Sequence, residues 1–337
     1  MNPNLEQQLD TYIYEHMQRK LIPGLSLAVI KDGVTMIEKS YGFANLEHGS
    51  PATSDTVYQI ASITKGFTAA AIMLLVADGK LSLDEALDRF RPGLPDPANT
   101  ITIRQLIMHA SGIPQWALDW DCEELTVDKI DQHAFGRPLN FAPGAQFEYV
   151  DTNYNILGMI IHQLTGAPYD AFLHERIFQP LRMNATCHND WRAVIPNRAD
   201  GYEREDGRVY RVPRMIWRGI NLSPSIPANA ANGGLLSTLS DLIKWDAALT
   251  NGTILSHRQQ EELWSPLILP DGEVASGPVQ NFRSHKLFNF AGGAFGFTTC
   301  MARFVEDGLT VIILTNQDSK PWDMCKDVAV LVEPALA

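Results

Sequence analysis

The chain has 337 residues, 45% hydrophobic and 20% charged, with a formal net charge of −12. That composition suits a globular protein with a sizeable core, in one large domain or two that share a cleft. The acidic balance and the lack of a basic run argue against nucleic acid as a partner, and no apolar run reaches the length of a membrane span.

Residues 1–8 show neither the basic start nor the apolar stretch of a secretory signal, so a cytoplasmic location is expected unless an exported form was trimmed. Residues 5–20 predict an amphipathic helix with Leu5, Leu9, Ile13 and Met17 on one side, closed by Pro23 and Gly24. Residues 25–30 and 34–37 predict two strands joined by a hairpin turn at Lys31, Asp32 and Gly33. Ser26 half resembles a hydrolase nucleophile elbow, but it lies inside a strand and is read as structural.

The next stretch carries the first chemical signal. Phe67, Ala70, Ala71, Leu74 and Leu75 recur at helical spacing up to Gly79, which places Ser62 at the start of a helix with Lys65 three residues on. Positions i and i+3 share a helix face, so hydroxyl and amine can meet. The helix dipole favours a developing alkoxide at Ser62, and a lysine desolvated beside an apolar helix can serve as its base. The alternative is an N-cap serine followed by a solvated lysine. Ser-x-x-Lys arises by chance about once in a chain of this size. However, Ser62 is the only serine here with a lysine three residues later, and the helix that follows is nearly uncharged.

From Leu81 to about Arg182 the chain is helical and loop-rich. Residues 100–109 predict a capped helix, and His109 at its end is read as a packed histidine rather than a catalyst. A second helix begins with Asp151 or Thr152 as its cap, buries Ile156, Ile160 and Leu164, and ends at Gly166, with Tyr149 on the loop before it. The C-terminal third returns to strands. A helix carries Leu242, Trp245 and Leu249; residues 288–301 are apolar and broken by glycines; residues 309–315 are the clearest strand; residues 322–333 close the chain as a helix. Strands at both ends predict one antiparallel sheet built from both termini with a helical domain inserted between. The boundaries expected are 1–80 plus 190–337 for the sheet domain and 81–189 for the helical one, with the active site in the cleft between them. Cys122, Cys187, Cys300 and Cys325 lie far apart and read as buried thiols. The histidines show no metal-binding spacing, so no metal or other cofactor is expected.

Ser62 and Lys65, then Tyr149 and Asp151 before a helix, then glycines 292 and 293 near the C-terminus, resemble in their order the serine β-lactamase and penicillin-binding-protein superfamily. The likeness is strongest to the class C branch, which includes family VIII-type carboxylesterases. Residues 22–24, 106–114, 143–144, 154–158, 178–186 and 233–237 match its phrases in the same order. The resemblance implies an α+β fold of the β-lactamase/transpeptidase type, an antiparallel sheet flanked by helices with an inserted, mostly helical domain. It implies Ser62 as acylated nucleophile, Lys65 and Tyr149 sharing the general-base work, and an oxyanion hole from the backbone N–H groups of Ser62 and Gly293. A tyrosine is otherwise a weak base near neutral pH, so that role requires the adjacent cation.

Two positions depart from the pattern. Asp151 stands where asparagine is frequent, and a carboxylate there would pair with Lys65. The third motif, usually Lys-Thr-Gly or His-x-Gly, reads Phe290, Ala291, Gly292, Gly293. Asp151, Phe290 and Gly292 are taken as substrate-orienting residues, with Trp116, Trp120, Phe290 and Phe295 as walls of the acyl pocket. Without the cation that meets a substrate carboxylate, esters of small, uncharged acyl groups are the expected small-molecule substrates. β-Lactamase, D-stereospecific peptidase, amidase or acyltransferase activity is the alternative within the fold. A non-catalytic ligand-binding relative is the alternative of another class.

Overall fold

In the computed structural model the described residues are 3–115, 132, 134–190, 193–212, 230–275, 277–319 and 322–336. Trp116, Trp120 and Cys122 lie outside them. The chain opens with helix α1 (Pro3–Lys20) and the hairpin of β1 (Gly24–Lys31) and β2 (Val34–Asn45). Asp32 and Gly33 at its turn have φ of 49° and 75°, the left-handed pair a tight hairpin needs. The second strand is eight residues longer than its apolar start at residues 34–37 suggests. Its outer half is only partly buried and continues by pairing with β1 and the short β3 (Ser50–Pro51), which hydrophobic patterning does not reveal.

The C-terminal third contributes β4 (Val279–Phe282), β5 (His285–Ala294), β6 (Phe297–Phe304) and β7 (Leu309–Thr315). Together the strands form a seven-stranded antiparallel sheet in the order β4-β5-β6-β7-β1-β2-β3, so the two ends of the chain meet along the β7–β1 ladder. The central strands are buried throughout because alternate residues face two separate cores. Leu27, Val29, Ala302, Phe304, Val311 and Ile313 face α1 and the closing helix α7 (Trp322–Val332), packing with Leu9, Ile13, Met324 and Val328. Ala28, Ile30, Met301, Ile312 and Leu314 face the other core, which holds α2 (Thr64–Ala77) and α5 (Leu239–Thr250).

Between the sheet's two halves lie α3 (Ile103–Ile107), α4 (Asp151–Thr165) and the helical stretch 169–181, with α6 (His257–Leu263) after α5. The predicted helix over 100–109 is only five residues long, because a capping box at Thr102 and Gln105 starts it late and His109 turns left-handed (φ 56°) after it. Ser26 is buried and bonds to Ser40 Oγ, Tyr58 OH and the Thr53 carbonyl, a structural role. Cys300 and Cys325 are buried thiols, while Cys187 is partly exposed. No described helix is long and apolar enough to cross a membrane.

Helix α5 is tied to the sheet by one buried ion pair. Arg303 Nε of β6 meets Asp246 Oδ1 at 2.7 Å, Thr310 Oγ1 donates to the same oxygen, and Arg303 also donates to Thr250. Removing one partner strands the other charge in the core. Asp246→Ala is expected to cost about 3–5 kcal/mol, read as a lower urea midpoint with an unchanged slope.

Candidate active site

Ser62 sits in a single 3₁₀ turn, Ala61–Ile63, directly ahead of α2. Helix α2 is buried on all sides for its first ten residues and becomes exposed only at its C-terminal end. Ala61, just before the serine, has φ of 45°, a backbone conformation L-residues avoid and the surrounding fold must hold in place. Ser62 itself is half-buried.

Two groups converge on its oxygen. Lys65 Nζ lies 3.0 Å from Ser62 Oγ, and Tyr149 OH lies 2.9 Å from it. Lys65 is almost fully buried and also donates to Asp151 Oδ1 and to the Asn232 carbonyl, each at 2.7 Å. Three acceptors match the three N–H bonds of an ammonium, so in this arrangement the nitrogen has no lone pair for the serine. The cation also stands 5.0 Å from the centre of the Tyr149 ring.

Asp151 departs from the expected capping role. The cap of α4 falls on Val150 without a side-chain bond, and Asp151 is the first helical residue. Its carboxylate goes to Lys65, a charged partner stronger than a first-turn N–H. Gln115 clamps it further: its Oε1 accepts from Asp151 N–H at 2.8 Å, and its Nε2 lies 3.5 Å from Oδ2. Gln115 and the Asn232 carbonyl belong to the site and were missed from sequence. Gln115 directly follows the matched stretch 106–114, which was the available signal; a backbone carbonyl leaves none.

Strand β5 closes the other side. A Cβ on Gly292 would collide with the Ile60 carbonyl oxygen and lie 2.9 Å from Ser62 N, while Thr299 Oγ1 donates to the same Ile60 oxygen. Gly292 therefore gives the strand the clearance it needs to lie against the serine turn. Gly293, one residue on, is exposed at the same edge. The ring of Phe290 packs over Gly66 of α2 and meets Trp264 edge-on. It walls a cavity of about 620 Å³ whose lining includes none of Ser62, Lys65 and Tyr149. His285 pairs with Asp307, and Lys286 lies over the Phe288 ring, so neither supplies a cation to the serine. Among the described residues no cluster of three or more His, Cys, Asp or Glu could hold a metal ion.

His109 is buried behind Tyr149. Burial, with the nearby Lys65 charge adding to it, pushes the imidazole down to about 3. Unfolded imidazole takes a proton near pH 6.5, so below that pH the unfolded chain binds more protons and stability falls.

The family model described as Beta-lactamase matches residues 9–335. Protein flp of Staphylococcus aureus (strain MW2) is 34% identical over 332 residues, covering 94% of this chain and 64% of its own length. The chain thus spans less than two thirds of that relative. The octameric penicillin-binding protein homologue from Pyrococcus abyssi superposes with a TM-score of 0.82 at 30% identity, over 98% of this chain and 77% of that one. D-amino acid amidase from Ochrobactrum anthropi SV3 gives 0.80 at 29% identity, over 99% of this chain and 100% of that one.

Gly292→Ala is expected to push β5 off the serine turn and lower kcat/KM about 100-fold. Gly293→Ala, whose Cβ would meet only Thr298 Cγ2 at 4.0 Å, is expected to lose far less in the same assay. The urea midpoint is also expected to drop between pH 7 and pH 5, less steeply in a variant lacking His109.

Proposed function

The chain belongs to the Beta-lactamase family, and from that membership we propose that it is a serine hydrolase of the class C type, acting through an acyl-enzyme on Ser62. The observation that carries the reading is the meeting of Tyr149 OH and Lys65 Nζ on one serine oxygen.

In the proposed reaction Tyr149 acts in its phenolate form: Ser62 Oγ attacks the substrate carbonyl while its proton passes to the Tyr149 oxygen. Lys65, held as a cation by Asp151 and the Asn232 carbonyl, favours negative charge on that oxygen. The tetrahedral oxyanion is met by the backbone N–H groups of Ser62 and Gly293. The proton then goes to the leaving oxygen, the carbon–oxygen bond breaks, and water repeats the sequence in reverse to release the acid. Carboxylesterase activity on small, uncharged acyl esters is the preferred specificity. Phe290 stands where the family pattern has a cation, and its ring lies against Gly66 and Trp264, so the strand offers a substrate carboxylate no positive side chain near the serine. The likeness to D-amino acid amidase along the full length of both chains favours a second reading, hydrolysis of amino-acid amides by the same residues.

The test is hydrolysis of p-nitrophenyl butyrate, nitrocefin and D-phenylalanine amide by wild type and by Ser62→Ala. Fast ester cleavage and slow nitrocefin turnover are expected, with loss on the order of 10⁴-fold or more in Ser62→Ala. Faster amide turnover would transfer the assignment to the second reading, and faster nitrocefin turnover would overturn the argument from Phe290. Activity surviving in Ser62→Ala, or no fluorophosphonate adduct on Ser62, would sink the mechanism.

A further inference from the structure

His109 ends the turn after α3 in a left-handed conformation, which costs energy for a residue with a Cβ. Its bonds run to the loop that carries Tyr149. Glu148 N–H donates to the His109 carbonyl at 2.9 Å, and Val150 N–H donates to its Nδ1 at 3.1 Å. Both chain neighbours of Tyr149 are therefore fastened to one histidine. Its ring also lies 4.4 Å from the Tyr149 ring, tilted by 31°, and 5.3 Å from the ring of Tyr154, whose OH donates to the Ile107 carbonyl.

We propose that His109 is the positioning residue for Tyr149: it grips the chain before and after the tyrosine, backs the phenol ring, and so holds the hydroxyl on Ser62 without itself exchanging a proton. The proposal rests on the reading of Ser62 and Tyr149 given above.

The choice of residue follows from the geometry. The loop needs an acceptor for Val150 N–H and a flat surface behind the phenol, and a neutral imidazole with its proton on Nε2 supplies both in one side chain. Protonation at Nδ1 would remove that acceptor, and burial beside Lys65 keeps the ring neutral well below neutral pH. Tyr149 is half-exposed, so its own packing does little to restrain it. Displacement of its oxygen by about 1 Å is enough to cost roughly 100-fold in rate. The ionisable groups facing the phenol are Lys65 from α2, Asp151 and Tyr154 from α4, and His109. With the grip released, the phenol oxygen moves away from Lys65 and loses its support.

Two variants separate the contributions: His109→Phe keeps a ring and removes the acceptor, and His109→Asn keeps an acceptor near the Nδ1 position and removes the ring. Both are measured in the full chain on p-nitrophenyl butyrate, with sites titrated by a fluorophosphonate and amide exchange followed over residues 147–151. The expected result is a fall of about 10–100-fold in kcat per titrated site with KM within about twofold. Exchange at Glu148 and Val150 is expected to quicken, at Val150 more in His109→Phe than in His109→Asn. A lower melting temperature with unchanged kcat per titrated site would reduce His109 to a structural residue and overturn the proposal. If the wild type neither turns over ester nor labels at Ser62, the reading of Ser62 falls instead. The exchange data then decide the grip alone, and unchanged exchange would overturn it.

Discussion

A helix buried on every side can offer its chemistry only at its ends, and α2 is such a helix. Its C-terminal end emerges at Asp78 and Gly79, away from the cleft, so the fold concentrates its polar contacts on the other end. Thr64 Oγ1 accepts from Leu235 N–H, Thr68 Oγ1 reaches the Ala231 carbonyl and Tyr169 OH, and Lys65 takes the Asn232 carbonyl. The segment 231–235 thus lines the first turn and satisfies groups that would otherwise be buried without partners. Strand β5 presses on the same turn from the sheet, made possible by the missing side chain of Gly292. The left-handed Ala61 is the junction where these demands meet. Strain at that residue is sustained by contacts from the C-terminal third of the chain, which is why the position of Ser62 and the long-range sheet topology are inseparable.

The second constraint is electrostatic. An ammonium as buried as Lys65 requires compensation, and Asp151 provides it at 2.7 Å. An asparagine at that place would leave the cation with neutral acceptors alone. The carboxylate makes the pair electrically closed and fixes the lysine in place, and Gln115 fixes the carboxylate in turn. On the proposed reading, this division gives Lys65 the part of a stationary cation and leaves the proton to Tyr149, a narrower assignment than the shared base implied by the resemblance.

What was legible in the sequence was local. The first hairpin, α2, α4 with its Gly166 terminus and the strand at 309–315 are each specified by residues within a few positions, and each is present. Ser62 and Lys65 were legible because i and i+3 on a helix meet by geometry. Tyr149, 87 positions beyond Ser62, could be linked to it only through resemblance. The two hydrogen bonds that His109 accepts from the Tyr149 loop and the Gln115 clamp are contacts between loops, and no periodicity encodes them. The length of β2 was missed because its outer half is held by ladder pairing rather than by a buried face. The side to which the Phe290 ring turns was not legible for a different reason. Its position in the motif fixed where its backbone runs, but strand alternation turned the ring onto Gly66 and the core, where an aromatic is worth more than on the cleft wall.

That turn of Phe290 also shows how chemistry and specificity are divided in this fold. The residues on Ser62 Oγ come from α2 and the Tyr149 loop, and on the proposed reading they act on any acyl carbon brought to the serine. The edge of β5 lies on the opposite side and contributes backbone near the nucleophile through Gly292 and Gly293, with side chains deciding what stands behind it. A lysine at residue 290 would have to place its charge against Gly66 and Trp264 or extend it past them toward the cleft, whereas phenylalanine gains by staying buried. On the proposed reading, the exchange of cation for phenylalanine leaves the acylation machinery intact and removes the reason to bind a carboxylate. Substrate choice can therefore drift along β5 while Ser62, Lys65 and Tyr149 stay fixed, because the two sets of residues share only the backbone of the serine turn.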